Sequence, residues 1–166
     1  MKIYTSYFYQ VRYFKPHQIP VSTADWDPKW FHENMNQNHV WKDKNGVWNG
    51  VRIELLNPSH VCTQLPPECV YCIKGNRHPE SCGFLKDYRD GLKNRLDFEE
   101  LMCFLTGIAD YFKQLEHFSE EPEIMLLVHE APTVLCSERV PIQELFLSHN
   151  MQVEEWDRHK HNITLV

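Results

Sequence analysis

The chain has 166 residues, 42% hydrophobic and 24% charged, a globular mix long enough for one real core. Its 17 basic residues against 23 acidic ones leave a net charge of −6, which excludes a chain built as a whole to coat nucleic acid, though not a local basic patch. No apolar run approaches the roughly 20 residues of a membrane span, and MKIYTSYFYQVRYF lacks both the apolar core and the cleavage site of a secretory signal, so a cytoplasmic, reducing compartment is expected.

In chain order, KIYTSYF alternates and is rich in β-branched and aromatic residues, which predicts an opening strand. IPVSTA predicts a second short strand, and DWDPKWFHENM a short helix or turn with Pro28 at an early position. KDKNGVWNGVRIELLNPS carries a turn signal at Asn45-Gly46, then a strand from about Val51 to Leu56. A cysteine-rich insertion, residues 57–83, follows. FLKDYRDGLKN predicts a helix stopped near Gly91 or Asn94.

LDFEELMCFLTGIADYFKQLE is the clearest helix. Asp97 is placed to cap it, Glu100 completes a capping box, and Phe98, Leu101, Met102, Leu105, Ile108, Ala109, Phe112 and Leu115 form one apolar stripe. Cys103 beside the stripe reads as a packing thiol. EIMLLV is a continuous apolar strand of the kind buried on both faces. VPIQELFLSHN predicts a helix with Pro141 at its start and Asn150 near its end, VEEW a last short strand, and residues 157–166 a tail. This alternation predicts a single α/β domain over 1–166: a mostly parallel, Rossmann-like sheet flanked by helices.

Four of the six cysteines fall at Cys62, Cys69, Cys72 and Cys82. Cys69-Val-Tyr-Cys72 is a pair whose spacing lets two thiolates hold one ion from a tight turn, and tetrahedral zinc needs four ligands. His60 and His78 are available substitutes. Ordinary thiols or two disulfides are the alternatives, but spacing and compartment favour structural zinc. Ligation would also close a long loop with no regular structure of its own.

The second informative stretch is IMLLVHEAPTVLCSERVPIQELF. A buried strand ends at Val128, His129 and Glu130 follow, and Cys136-Ser137-Glu138-Arg139 stands at the mouth of a helix. In open α/β sheets ligands bind beyond the carboxyl ends of the strands. A helix N-terminus there attracts anions and activates a thiol, which makes Cys136 a candidate nucleophile or wall. Arg139 is an anion holder by the same reasoning, and Glu130 an acid, a base or a partner for Arg139. Read singly, each residue is also a plausible packing or ion-pair element.

MKIYTSYF followed by Arg12, then PVSTADWDPKW, CGFLKDYRDGL, and the segment from Glu130 through Cys136 to an arginine, resembles the DUF488 family from Met1 to about Trp156. Such proteins are small cytoplasmic α/β proteins of prokaryotes and their phages, so the resemblance implies fold more than activity. It also implies that Tyr7, Arg12, Ser22, Trp30 and Tyr88 border the same cleft. Two departures stand out. Val128 occupies a position where the family often has cysteine, and Cys136-Ser137-Glu138-Arg139 replaces its frequent Cys-His-Arg.

Two functions are expected. One is an enzyme acting on a nucleotide, nucleoside or modified base, with Glu130, Cys136 and Arg139 as catalytic residues and Tyr7, Arg12, Ser22, Trp30, Tyr88 and His129 binding the ligand. The other is a zinc-braced module docking on a protein or nucleic acid through Trp26, Trp30, Trp41 or Trp48, whose rings either stack bases or pack the core.

Overall fold

EIMLLV is the strand around which the sheet assembles. A computed structural model of the chain describes residues 1–33, 41, 48–63 and 79–160. Among these residues six strands form one sheet: β1 (Lys2–Tyr7), β2 (Gln18–Ser22), β3 (Phe31–Glu33), β4 (Trp48–Arg52), β5 (Glu123–Val128) and β6 (Glu154–Glu155). Their spatial order is β3-β4-β2-β5-β1-β6, and every neighbouring pair is parallel. Strand β5 therefore lies between β2 and β1, and Ile124 through Leu127 are fully buried, as a strand covered on both faces requires.

Among the described residues four α-helices accompany the sheet: α1 (Pro58–Val61), α2 (Gly83–Asn94), α3 (Phe98–Glu116) and α4 (Arg139–Ser148). Helix α3 packs on β5, α4 on β1, and α2 on both α4 and α1. Asp97 caps α3 by accepting hydrogen bonds from the backbone N–H of Glu99 and Glu100 at 3.0 and 3.2 Å. From the predicted stripe Leu101, Leu105, Ile108, Ala109 and Phe112 are buried, each large side chain contributing roughly 1.5–3 kcal/mol. Leu115 ends the stripe exposed.

Gly91 lies inside α2, which runs on to Asn94. A Cβ there would meet the Val61 carbonyl oxygen at 2.2 Å, so glycine is what lets α2 lie against α1.

Several expectations are narrowed or corrected. Of the helix or turn expected over DWDPKWFHENM, the described residues 25–33 take the turn, with bends and a turn at Lys29-Trp30 leading into β3, because β4 offers Phe31–Glu33 a parallel edge. The strand predicted over Val51–Leu56 ends at Arg52. Glu54–Leu56 turn into a 3-10 segment ahead of Pro58, and the Leu56 carbonyl accepts a hydrogen bond from the Tyr88 hydroxyl at 2.6 Å. Cys103 is exposed, not packed. Trp41 is buried against Phe112 with its indole N–H on the Lys15 carbonyl at 3.1 Å, so it is a core residue and no docking surface. The Asn45-Gly46 turn lies outside the described residues, as do Cys69, Cys72 and His78.

Candidate functional site

The strand register builds the site. Tyr7 pairs with Val128, and Ser22 pairs with both Leu127 and Arg52, so four strands end on one rim. From β5 the chain passes through α4 to β6, beyond β1. From β2 it moves the opposite way, to β3 and β4. The β2/β5 boundary is thus the switch point at which open parallel sheets leave a crevice. The segments stepping off these strands are Asp25-Trp26-Asp27 and His129-Glu130.

The two segments touch. The His129 ring lies 4.2 Å from that of Trp26, and His129 Nε2 is 2.8 Å from the Trp26 carbonyl oxygen. Asp27 accepts a hydrogen bond from the Ser22 hydroxyl and lies 3.7 Å from the Arg52 guanidinium. Asp25 accepts from the Ser59 N–H at 2.9 Å and hydroxyl at 2.5 Å, tying the first turn of α1 to the rim. An open cleft of ≈ 400 Å³ lies past the end of β4, bordered by Arg52, Glu54, His60, Glu100 and Phe104.

The loop after β5 is held from below. Arg139 is 5% exposed, and its Nη2 and Nη1 donate to the carbonyls of Glu130 and Ala131, the latter at 3.3 Å. Its Nε donates to Glu155 Oε2 at 2.7 Å, the same oxygen that accepts from the Thr5 hydroxyl at 2.6 Å. Gln143 donates to that hydroxyl at 2.7 Å, completing a chain from α4 across β1 to β6. Arg139 fixes the path of the backbone at Glu130 and Ala131.

Ser137 ties Glu130 to the start of α4. Its hydroxyl donates to Glu130 Oε2 at 3.1 Å and accepts from the Arg139 N–H at 3.3 Å. Glu138, next in the chain, has its carboxyl pushed up to about 7, first by burial and then by the Glu130 carboxylate, with Asp25 adding to the effect. Burial also pushes the Cys62 thiol up to about 11, with Asp87 next in weight. Tyr88, fully buried, is raised by burial and then by Glu138.

The sequence-predicted residues therefore divide. Glu130 and His129 stand at the rim beside Trp26. Tyr7 is half-buried at the end of β1, where its hydroxyl accepts from Gln10 Nε2 at 2.8 Å. Ser22 is buried at the end of β2 and engaged with Asp27. Arg12 and Trp30 form a pair outside the rim, guanidinium over indole at 5.7 Å. Cys136 is buried among Cys82, Leu85 and Phe84, which makes it a wall. Tyr88 is fully buried and supports the Leu56 carbonyl from within the core.

Of the four metal candidates, Cys62 caps α1 and Cys82 precedes α2, two helices that pack together. Among the described residues no group of three or more His, Cys, Asp or Glu is arranged around one point. Glu138 and Asp25 were not singled out from sequence. The only signal for Glu138 was its place between Ser137 and Arg139 at a helix mouth.

Fold and rim define an α/β protein with an open, all-parallel sheet and an acidic site at the carboxyl ends of its central strands. No protein-family model matches the chain, and neither does any curated protein or solved structure. No helix among the described residues is long and apolar enough to cross a membrane.

Proposed function

We propose that the rim is the acid–base site of a hydrolytic enzyme acting on a nucleobase, carried by a nucleoside, a nucleotide or a modified base. The observation that carries this reading is that Glu138, at the switch point of the sheet, has its carboxyl raised first by burial and then by the charges of Glu130 and Asp25. A carboxyl whose proton is held by burial, beside a second carboxylate, supplies a donor next to an acceptor. Glu138, protonated near neutrality, is the donor. Glu130, held by Ser137, is the acceptor and takes the proton of an attacking water. That water forms a C–O bond at the sugar carbon that carries the base, the glycosidic C–N bond breaks, and the leaving base departs with the proton of Glu138.

An acidic rim selects a partner rich in N–H donors, and the exposed face of Trp26 selects a planar one. Cys136 is a wall and Arg139 a positioning residue for Glu130. The likeness to the DUF488 family belongs to the same proposal, supported by the matching order of strand, glutamate, loop, cysteine and arginine. So does structural zinc, supported by the thiols of Cys62 and Cys82 on two packed helices.

The test is a chromatographic screen of nucleosides, nucleotides and modified bases with the full chain. Glu130→Gln and Glu138→Gln should each lower turnover about 10²- to 10⁴-fold while the circular dichroism spectrum is unchanged. Turnover retained in Glu130→Gln would sink the assignment.

A further inference from the structure

Of the tryptophans whose burial is described, Trp41 and Trp156 are core, whereas Trp26 is 67% and Trp30 38% exposed. The two exposed ones are not scattered. Trp26 lies against His129, and the His129 ring is 4.9 Å from Phe8. Phe8 meets Trp30 edge-on at 6.3 Å. Arg12 then bridges Trp30 and Tyr9, its guanidinium 3.8 Å from the Tyr9 ring centre, and Tyr9 is 45% exposed. Beyond Tyr9 lies Tyr13, with the Arg158 guanidinium 4.2 Å over its ring. Phe8, 2% exposed, and Tyr13, 7% exposed, are core rings, so the surface offers three planes, Trp26, Trp30 and Tyr9, linked through the core, with the cations at one end and Glu130, which follows His129 in the chain, at the other.

An apolar protein partner would gain little from guanidiniums stacked between the rings, and a lone nucleotide covers one ring of the three exposed. Bases in succession stack on successive planes, and phosphates pair with the cations between them. The segregation of charge gives the strip a direction: phosphates at the arginines, a base edge at the carboxylates. In a chain of net charge −6 the strip offers two guanidiniums, Arg12 and Arg158, with the Asp157 carboxylate turned to Gln10 Nε2 at 2.9 Å.

We infer that the strip from Tyr9 and Arg12 through Trp30 to Trp26 binds single-stranded nucleic acid and delivers one of its bases to Glu130 and Glu138. The inference rests on the acid–base reading above for the fate of that base, but strand binding is measurable without turnover. Contacts to base faces and phosphates take DNA and RNA alike.

The test is fluorescence anisotropy of labelled 20-nucleotide oligo-dT and oligo-rU with the full chain at 50 to 200 mM salt. Saturable binding is expected, weakening with salt with a log–log slope of about −1.4 for two phosphate contacts. Trp26→Ala and Trp30→Leu should each weaken binding about 5- to 150-fold. Arg12→Gln should bring the slope toward about −0.7.

The inference is overturned by no binding at 50 mM salt, by affinity indifferent to both tryptophan replacements, or by dTMP competing as well as the 20-mer at equal nucleotide concentration. Strand binding with turnover surviving in Glu130→Gln would refute the acid–base reading alone. Turnover of free nucleosides by a chain that binds no strand would refute this inference alone.

Discussion

Replacing Arg139 by methionine tests whether that residue holds an anion or holds the loop. The side chain is 5% exposed and donates to two backbone carbonyls and to Glu155. Removing it strips three hydrogen bonds and leaves the Glu155 carboxylate, whose Oε1 is buried without a partner, facing Thr5 alone. Breaking a buried pair from one side costs about 3–5 kcal/mol, and at about 2–4 °C per kcal/mol for a chain of this size the midpoint should fall by roughly 6–20 °C. Urea unfolding followed by circular dichroism reads the first quantity and a thermal scan the second. Arg139→Lys keeps the charge but loses the planar fork and should fall between methionine and wild type. Adding Glu155→Gln to Arg139→Met should recover part of the loss, because no charge is then stranded. Stability of Arg139→Met within about 1 kcal/mol of wild type would refute the brace.

The other expectations follow from single contacts. Glu138 binds its proton up to about 7 in the fold but only to an ordinary 4.5 when unfolded, so across that interval the folded state holds more protons and stability falls as pH rises. The full penalty above pH 7 is roughly 3 kcal/mol, so Glu138→Gln should gain on wild type between pH 5 and 8. A difference that stays flat with pH would sink the reasoning. Gly91→Ala should lose about 1–3 kcal/mol in urea unfolding, since its methyl meets a backbone carbonyl that Arg95 also binds. Helix propensity alone predicts a gain of about 1 kcal/mol, and observing that gain would refute the packing argument. Elemental analysis of protein purified without chelator should find about one zinc per chain, released with thiols that a chelator exposes. In the same labelling experiment Cys103 should react at once and Cys136 only on unfolding. Metal-free protein with Cys62 and Cys82 reacting as readily as Cys103 would refute the zinc site.

What could be read from the residues was whatever local patterning decides. The apolar run of β5 and the capped stripe of α3 are self-sufficient signals, because burial on both faces and a repeat of 3.6 each leave one reading. Strand β3 was hidden because Phe31 follows a turn at Pro28 and its partner β4 comes from fifteen or more residues later. The end of β4 was hidden because Ile53, Leu55 and Leu56 continue an apolar pattern while Tyr88, on another helix, decides where the chain turns. The site divides in the same way. Glu130 at a strand end was legible from position alone. Glu138 was not, since its character comes from burial and from Glu130 and Asp25, brought near only by the completed sheet. Arg139 was legible as a charge near Glu130 but not as a buried brace, because its anchor Glu155 belongs to the last strand.

The place of β5 in the sheet has a consequence for how the molecule is made. Strands β1 and β2 leave the ribosome before β5, yet neither pairs with the other, and β5, which joins them, follows β2 by roughly 100 residues. At 5–20 residues per second the nascent chain carries two unsatisfied strand edges for about 5–20 s before their partner exists. Those edges are rich in Ile, Val, Tyr and Thr, the composition that pairs readily with a neighbouring chain. Production of intact protein should therefore depend on what shields those edges during synthesis, and on how quickly the stretch from 23 to 122 is translated.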